Sequence, residues 1–368
     1  MKNITYLFGA GASAKALPVV GAIPDELERV AKIFTTKNVI TSRVELGNSI
    51  TKSLSECQSE LIMEMERLVP IIRNHASVDT YAKKLYLQEN KKELTRLKVI
   101  LSIFFTVLQS EGIKVEPRYD SFFASILNRL DDFPKNVKVL SWNYDQQFEM
   151  AYAEYLDSKQ SLQEASEKLN VITKQNWGSI WKGPEDGFCI VKLNGSTGFV
   201  NYAANGIPFL LTEEKSNAPT TPIGSTPHYY NRRLFPYVLN NLVERYARIM
   251  SLFEESPGYV DHSIPLLSFA WEEELHQNKS IVNEAKTRTK DSDVMVVIGY
   301  SFPYFNREID KQIINNMPNL TKIYIQDLHP ENIIQRLKTL IDKDPNQFEY
   351  PSFVPNTAVG QFLLPNEL

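Results

Sequence analysis

The run Asn3-Ile4-Thr5-Tyr6-Leu7-Phe8 empties directly into Gly9-Ala10-Gly11-Ala12-Ser13-Ala14. A hexamer rich in β-branched and aromatic residues is a strand signal. The G-x-G-x-x-A ending lets the backbone turn tightly and press its N–H groups against a pyrophosphate at a helix N-terminus. A first strand-to-helix turn is where doubly wound α/β folds place such a loop. Glycines also end strands for purely structural reasons, so the loop by itself does not fix a ligand.

Past this loop the chain departs from an ordinary dinucleotide fold. Pro18 and Pro24 interrupt the first helix, helical spacing resumes only from Asp25 to about Phe34, and no acidic residue closes a second strand some 20 residues later. A plain dehydrogenase is therefore disfavoured. Residues 45–112 read as almost wholly helical, with stripes such as Leu61, Met65, Leu68 and Leu97, Leu101, Phe104, Leu108, and form a helical insertion or subdomain, either a packing module, a lid or an assembly surface. Strands are expected at Val137–Trp142 and Phe188–Leu193, and residues 201–233 form a loop-rich segment dense in Pro, Gly, Thr and Asn. In the last third, strands at 264–269, 294–298 and 322–325 alternate with helices. The fold class expected is α/β: a Rossmann-like parallel sheet with helices on both faces, in a single domain over 1–368.

Composition narrows the function classes. Lys and Arg number 40 against 44 Asp and Glu, a net charge of −4, and the cations are spread out rather than gathered, so no electrostatic footprint for direct nucleic-acid binding exists. The one basic helical stretch, Lys83 to Lys92, alternates with Glu89 and Glu93 as a solvated face does. Cys57 and Cys189 are too few for a disulfide framework and lack the C-x-x-C pairing of a zinc ribbon, so no metal is expected. No apolar run approaches the roughly 18 residues that span a bilayer, and Met1-Lys2-Asn3 leads into a strand rather than a signal sequence, which predicts a cytoplasmic protein with no membrane partner.

Four strand ends carry polar or glycine-rich groups: Gly9-Ala10-Gly11-Ala12-Ser13, Asn143-Tyr144-Asp145, Asn194-Gly195-Ser196 and Gly299-Tyr300-Ser301. A fifth, Asp327, is placed to reach a ribose hydroxyl or adenine. Parallel sheets bind ligands at the carboxyl ends of their strands. Asn, Asp and Gly after a strand are also ordinary turn residues, and it is their joint recurrence that singles out this edge.

In order, Gly9-Ala10-Gly11-Ala12-Ser13, Trp142-Asn143-Tyr144-Asp145, Lys192-Leu193-Asn194-Gly195-Ser196 and Gly299-Tyr300-Ser301-Phe302-Pro303 resemble the nucleotide motifs of bacterial sirtuin-like proteins. The resemblance covers most of the chain outside 45–112 and 201–233. It implies an NAD-binding core that cleaves the bond between nicotinamide and ribose, and many bacterial members are antiphage effectors that destroy NAD under the control of a second component. By the same resemblance Gly9, Ala10, Gly11, Ala12 and Ser13 hold the pyrophosphate and nearby ribose. Asn143 positions the nicotinamide ribose and the attacking water, Asp145 engages the carboxamide side, and Gly299 and Ser301 line the adenosine half.

One position breaks the pattern. Where the family reads Lys-Leu-His-Gly-Ser, this chain has Asn194, which can bond a ribose hydroxyl but cannot take a proton as imidazole does. Loss of a general base typically costs about 10²- to 10⁴-fold in rate. Three readings stay open: an inactivating replacement at 194, a natural variant that hydrolyses NAD through Asn143 and Asp145, and a protein that binds NAD or ADP-ribose without turnover. His228, beside Tyr229 and Tyr230, is the one histidine placed to substitute. A toxic NADase needs restraint, so a homo-oligomer or a partner, such as a HerA-type ATPase or a nucleotide-processing protein, is expected. Deacetylation is disfavoured, because deacetylases of that family usually carry a four-cysteine zinc module.

Overall fold

Seven parallel strands make the central sheet, with β1 (Ile4–Phe8) in the middle. To one side lie β10 (Val294–Ile298), β11 (Lys322–Gln326) and β12 (Ser352–Asn356). To the other lie β4 (Val137–Ser141), β6 (Cys189–Lys192) and the two-residue β5 (Val171–Ile172), so that the order across the sheet is β12-β11-β10-β1-β4-β6-β5. The computed structural model describes residues 1–36, 43–45, 51–112, 115–156, 162–173, 186–202, 208–210, 235–251, 263–272, 280–345 and 350–368. β1 and β10 are buried along their whole length, as expected where helices cover both faces and no residue needs to meet water. The α/β reading of the sequence holds.

Register decides what this sheet can present. Phe8 stands opposite Ile298 and Ser141, Ser141 opposite Lys192, and Ile298 opposite Gln326. The residues that come next in the chain, Gly9, Trp142, Leu193, Gly299 and Asp327, therefore leave the sheet at one level. After β1 the chain builds outward through β4 and β6, then returns to β1's other side with β10, which puts the topological switch between β1 and β10.

Three expectations change. The segment after the glycines is two short 3₁₀ turns, Ala10–Ser13 and Val20–Ala22, and then α1 (Ile23–Thr36). Pro24 thus sits in the first turn of α1 rather than before it, where its missing N–H costs nothing. The block at 45–112 is entered through an antiparallel ribbon, β2 (Arg43–Glu45) with β3 (Thr51–Ser53), before α2 (Leu54–Arg73), α3 (Val78–Leu87) and α4 (Lys91–Gly112). The strand at 264–269, expected in the parallel sheet, is instead β9 (Ser263–Leu267), antiparallel to β7 (Gly195–Tyr202) in a small second sheet with β8 (Pro208–Leu210). The cause is local. Gly195 adopts φ +68° and its α-carbon lies against the carbonyl of Leu266, where a Cβ would come within 2.2 Å, so the chain reverses there instead of entering a helix.

The helical block is not peripheral. Leu61, Met65, Leu68, Leu97, Leu101 and Phe104 are buried in one continuous core with β1, β4 and β10. Ser53 caps α2 reciprocally with Glu56, and Glu89 at φ +55° ends the first half of the Lys83–Lys92 stretch between α3 and α4. Half-buried Lys83 there lies over the rings of Tyr86 and Trp271, while Lys84 and Lys91 are exposed. Beyond Tyr202, most of 201–233, with His228, lies outside the described residues. No helix among the described residues is long and apolar enough to cross a membrane.

Candidate active site at the carboxyl edge of the sheet

At the switch point the loop after β1 meets the loop after β10 backbone to backbone. The N–H of Gly11 donates to the carbonyl of Gly299 at 3.0 Å, and that of Gly9 donates to Ile298 at 3.0 Å. A Cβ on Gly11 would stand 2.7 Å from the α-carbon of Gly299, and one on Gly299, at φ +60°, 2.5 Å from Gly11. These glycines thus have a packing reason to be glycine, and the amide of Gly11 is already committed, as is that of Ala12 to the carbonyl of Gly9 at 2.8 Å.

Ser13 is the hub of the polar cluster. Its Oγ accepts from Asn143 Nδ2 at 3.3 Å and lies 3.2 Å from the Tyr119 hydroxyl, and the Ser13 hydroxyl is near enough to the Asp145 carboxyl to favour its charged form. Of the sequence-derived candidates, Ser13 and Asn143 share a hydrogen bond, Asp145 stands beside them, and all three are buried. Asp145 also accepts from the N–H of Gln147 at the start of α6 (Gln147–Ala153), at 3.1 Å. Burial lifts its carboxyl above the usual range, opposed by the nearby Lys192 charge, the Gln147 amide and the Ser13 hydroxyl.

Lys192, the last residue of β6, is 1% exposed. It donates to the carbonyl of Asp145 at 2.6 Å, to Glu149 at 2.5 Å and to Ser196 Oγ at 3.4 Å. It ties the β4 and β6 ends together and brings Ser196 into the same network. Asn194 serves a different purpose. Its Nδ2 donates to the carbonyl of Trp142 at 3.4 Å, its Oδ1 accepts from the N–H of Ala270 at 3.2 Å, and its own carbonyl accepts from Ser268 at 3.0 Å. The side chain is a bridge from the end of β4 to the turn after β9, and both ends of its amide are engaged.

The adenosine-side candidates stand apart from that network. Ser301 is exposed and its carbonyl accepts from Arg336 at 2.6 Å. Asp327 is half-buried and caps the N–H of His329 at 2.9 Å. Gly299 reaches β11 through a 3.2 Å bond to the carbonyl of Gln326. Next to the site, Trp142 stacks on Tyr300 with centroids 5.7 Å apart, Tyr300 donates to the buried Asp310 at 2.9 Å, and Tyr144 donates to Asp79 at the start of α3.

Sequence reasoning missed the start of α5 (Pro117–Ile126), which contributes Glu116, Arg118 and Tyr119 beneath the glycine loop. A Glu-Pro-Arg-Tyr-Asp run reads as a solvated turn, and nothing in its pattern announces that both Glu116 and Arg118 are buried. Among the described residues no group of three or more His, Cys, Asp or Glu side chains converges as metal ligands would. No protein-family model matches the chain, and no curated protein matches its sequence.

Proposed function

We propose that the carboxyl edge of the sheet binds NAD⁺ and that the protein is an NAD⁺ glycohydrolase, working as an effector of bacterial antiphage defence and gated by a partner or by self-association. The observation that carries this reading is the Ser13 hub. A glycine-loop serine, an asparagine and a buried carboxyl from two neighbouring strands meet beside the topological switch, where open α/β sheets take their ligands.

The chemistry asks little of a nucleophile. The bond between the nicotinamide nitrogen and C1′ breaks with its electron pair going to the nicotinamide, leaving an oxocarbenium-like ribose. Water then adds at C1′, and the products are nicotinamide, ADP-ribose and a proton. Fixed dipoles and a dry site stabilise that cation more than a strong base would. Asn143 orients ribose and water, Asp145 engages the carboxamide side of the leaving nicotinamide, and the proton released from the added water passes to solvent.

Asn194 favours a second reading, in which the protein binds NAD⁺ or ADP-ribose and reports occupancy to a partner such as a HerA-type ATPase or a nucleotide-processing protein. An amide whose two ends already bridge Trp142 and Ala270 supplies no general base. Chromatography of NAD⁺ incubations separates the two. The glycohydrolase reading expects nicotinamide and ADP-ribose in equal amounts from the chain, faster with Asn194→His. Binding without product from either protein, with the candidate partner present, supports the sensor.

A further inference from the structure

We infer that Arg118, Glu116 and Tyr119 are positioning residues for the glycine loop, setting its shape for the dinucleotide from the side away from solvent. The inference rests on the NAD-binding reading of that loop. Three consecutive pieces of the loop are each held by a different side chain of one short segment at the start of α5. Arg118 Nη2 donates to the carbonyls of Gly11 and Ala12, both at 3.0 Å. Glu116 Oε2 accepts the N–H of Lys15 at 2.8 Å, and the Tyr119 hydroxyl lies 3.2 Å from Ser13 Oγ.

The segment is itself rigidly placed. Glu116 is fully buried and Arg118 6% exposed. The guanidinium donates to Glu116 through Nε at 2.7 Å and Nη2 at 3.0 Å, and the N–H of Glu116 donates to Gln147 Oε1 at 2.7 Å, which anchors the pair to α6. From the other side Arg118 reaches the chain after β12. It donates to the carbonyl of Val359 at 3.4 Å and lies 5.0 Å over the ring of Phe362, while Lys15 Nζ donates to Gly360 at 3.1 Å.

Geometry gives the clamp its consequence. Carbonyls of successive peptides that point toward Arg118 leave the opposite face of the loop to a ligand, and the guanidinium neutralises the negative end of the Ala10–Ser13 turn without itself facing the site. The pair with Glu116 carries no net charge, so its service is shape rather than attraction of phosphate. Tyr119 fixes Ser13, and through it the rotamer of Asn143.

The test uses the full chain and three variants: Arg118→Lys, which keeps the charge but loses the fork, Tyr119→Phe, which removes one hydroxyl, and the paired Glu116→Gln with Arg118→Met, which avoids an orphaned buried charge. Hydrogen exchange of the amides at 10–16, without ligand, reads loop order directly. Each variant is expected to exchange faster there while the central strands stay protected. In NAD⁺ turnover, KM is expected to rise about tenfold or more for Arg118→Lys, as loss of a charge-assisted hydrogen bond implies, with kcat changing far less and Tyr119→Phe falling between it and the parent. Parent-like exchange at 10–16 in all folded variants overturns the clamp, as does a fall in kcat at unchanged KM. A parent chain that binds neither NAD⁺ nor ADP-ribose overturns the functional reading instead, and the exchange result still decides the clamp.

Discussion

Asn194 carries the largest difference between what a residue type suggests and what its place in the fold makes it do. In the sequence it is a lost histidine; in the structure it is a buried splice holding three segments together. Asn194→Ala is expected to strand the N–H of Ala270 and to lower stability by about 1–3 kcal/mol in urea unfolding. Gly299 makes the opposite point, since its glycine was legible but its reason was not. Gly299→Ala puts a Cβ 2.5 Å from Gly11 at φ +60°, and a loss of at least ~2 kcal/mol is expected. Gly21→Ala, with nothing within 4 Å, should leave the melting temperature unchanged or raise it. Asp310 supplies a pH signature. Burial holds its carboxyl well above the ordinary range, so the folded state keeps a proton that the unfolded state releases. The stability it contributes is full below the unfolded value of about 3.9 and is lost as pH rises from there through the folded value. The amide introduced by Asp310→Asn cannot titrate yet still accepts from Tyr300, so the variant should gain on the parent in unfolding experiments as pH goes from about 4 to about 8. A constant difference between the two proteins contradicts this.

Among the elements, the helical block at 54–112 changes most in meaning. Its apolar stripes are plain in the sequence, but a stripe cannot say whether it faces a partner chain or its own sheet. Here it packs against α1 and the small sheet of β7 and β9. Lys98 pairs with Glu272, Lys83 lies over Trp271, and Tyr144 donates to Asp79, so α3 and α4 are fastened to residues next to Asn143 and to the turn that Asn194 holds. Leu101 is fully buried, and Leu101→Ala is expected to cost about 2–5 kcal/mol by calorimetry, as a core position does, rather than to alter assembly alone. Short elements escaped the sequence for physical reasons. The two residues of β5 and the three of β2 and β3 hold too little periodicity to register, and β9 has the apolar content of a central strand while pairing antiparallel outside the main sheet. What sends it there is the Gly195 reversal, a non-local contact with Leu266 that no local pattern contains.

At the scale of the whole molecule, the parallel sheet was the most legible feature, because strands buried on both faces write themselves as unbroken apolar runs. Register then aligns the five strand ends without further assumption, and it brings Ser13 into hydrogen-bonding reach of Asn143 with Asp145 beside them. The support beneath them was not legible, since Lys192, Glu149, Glu116 and Arg118 are charged residues whose burial depends on partners that the local pattern does not reveal. Every functional proposal made for this edge requires that it take a dinucleotide. Calorimetric titration of the full chain with NAD⁺ and with ADP-ribose, repeated for Ser13→Ala and Asn143→Ala, puts that requirement to the test. Saturable binding by the parent, weakened about tenfold or more in either variant that keeps its melting temperature, is the result expected. Heats of dilution alone from the parent, or equal affinity in parent and both variants, would rule the dinucleotide site out.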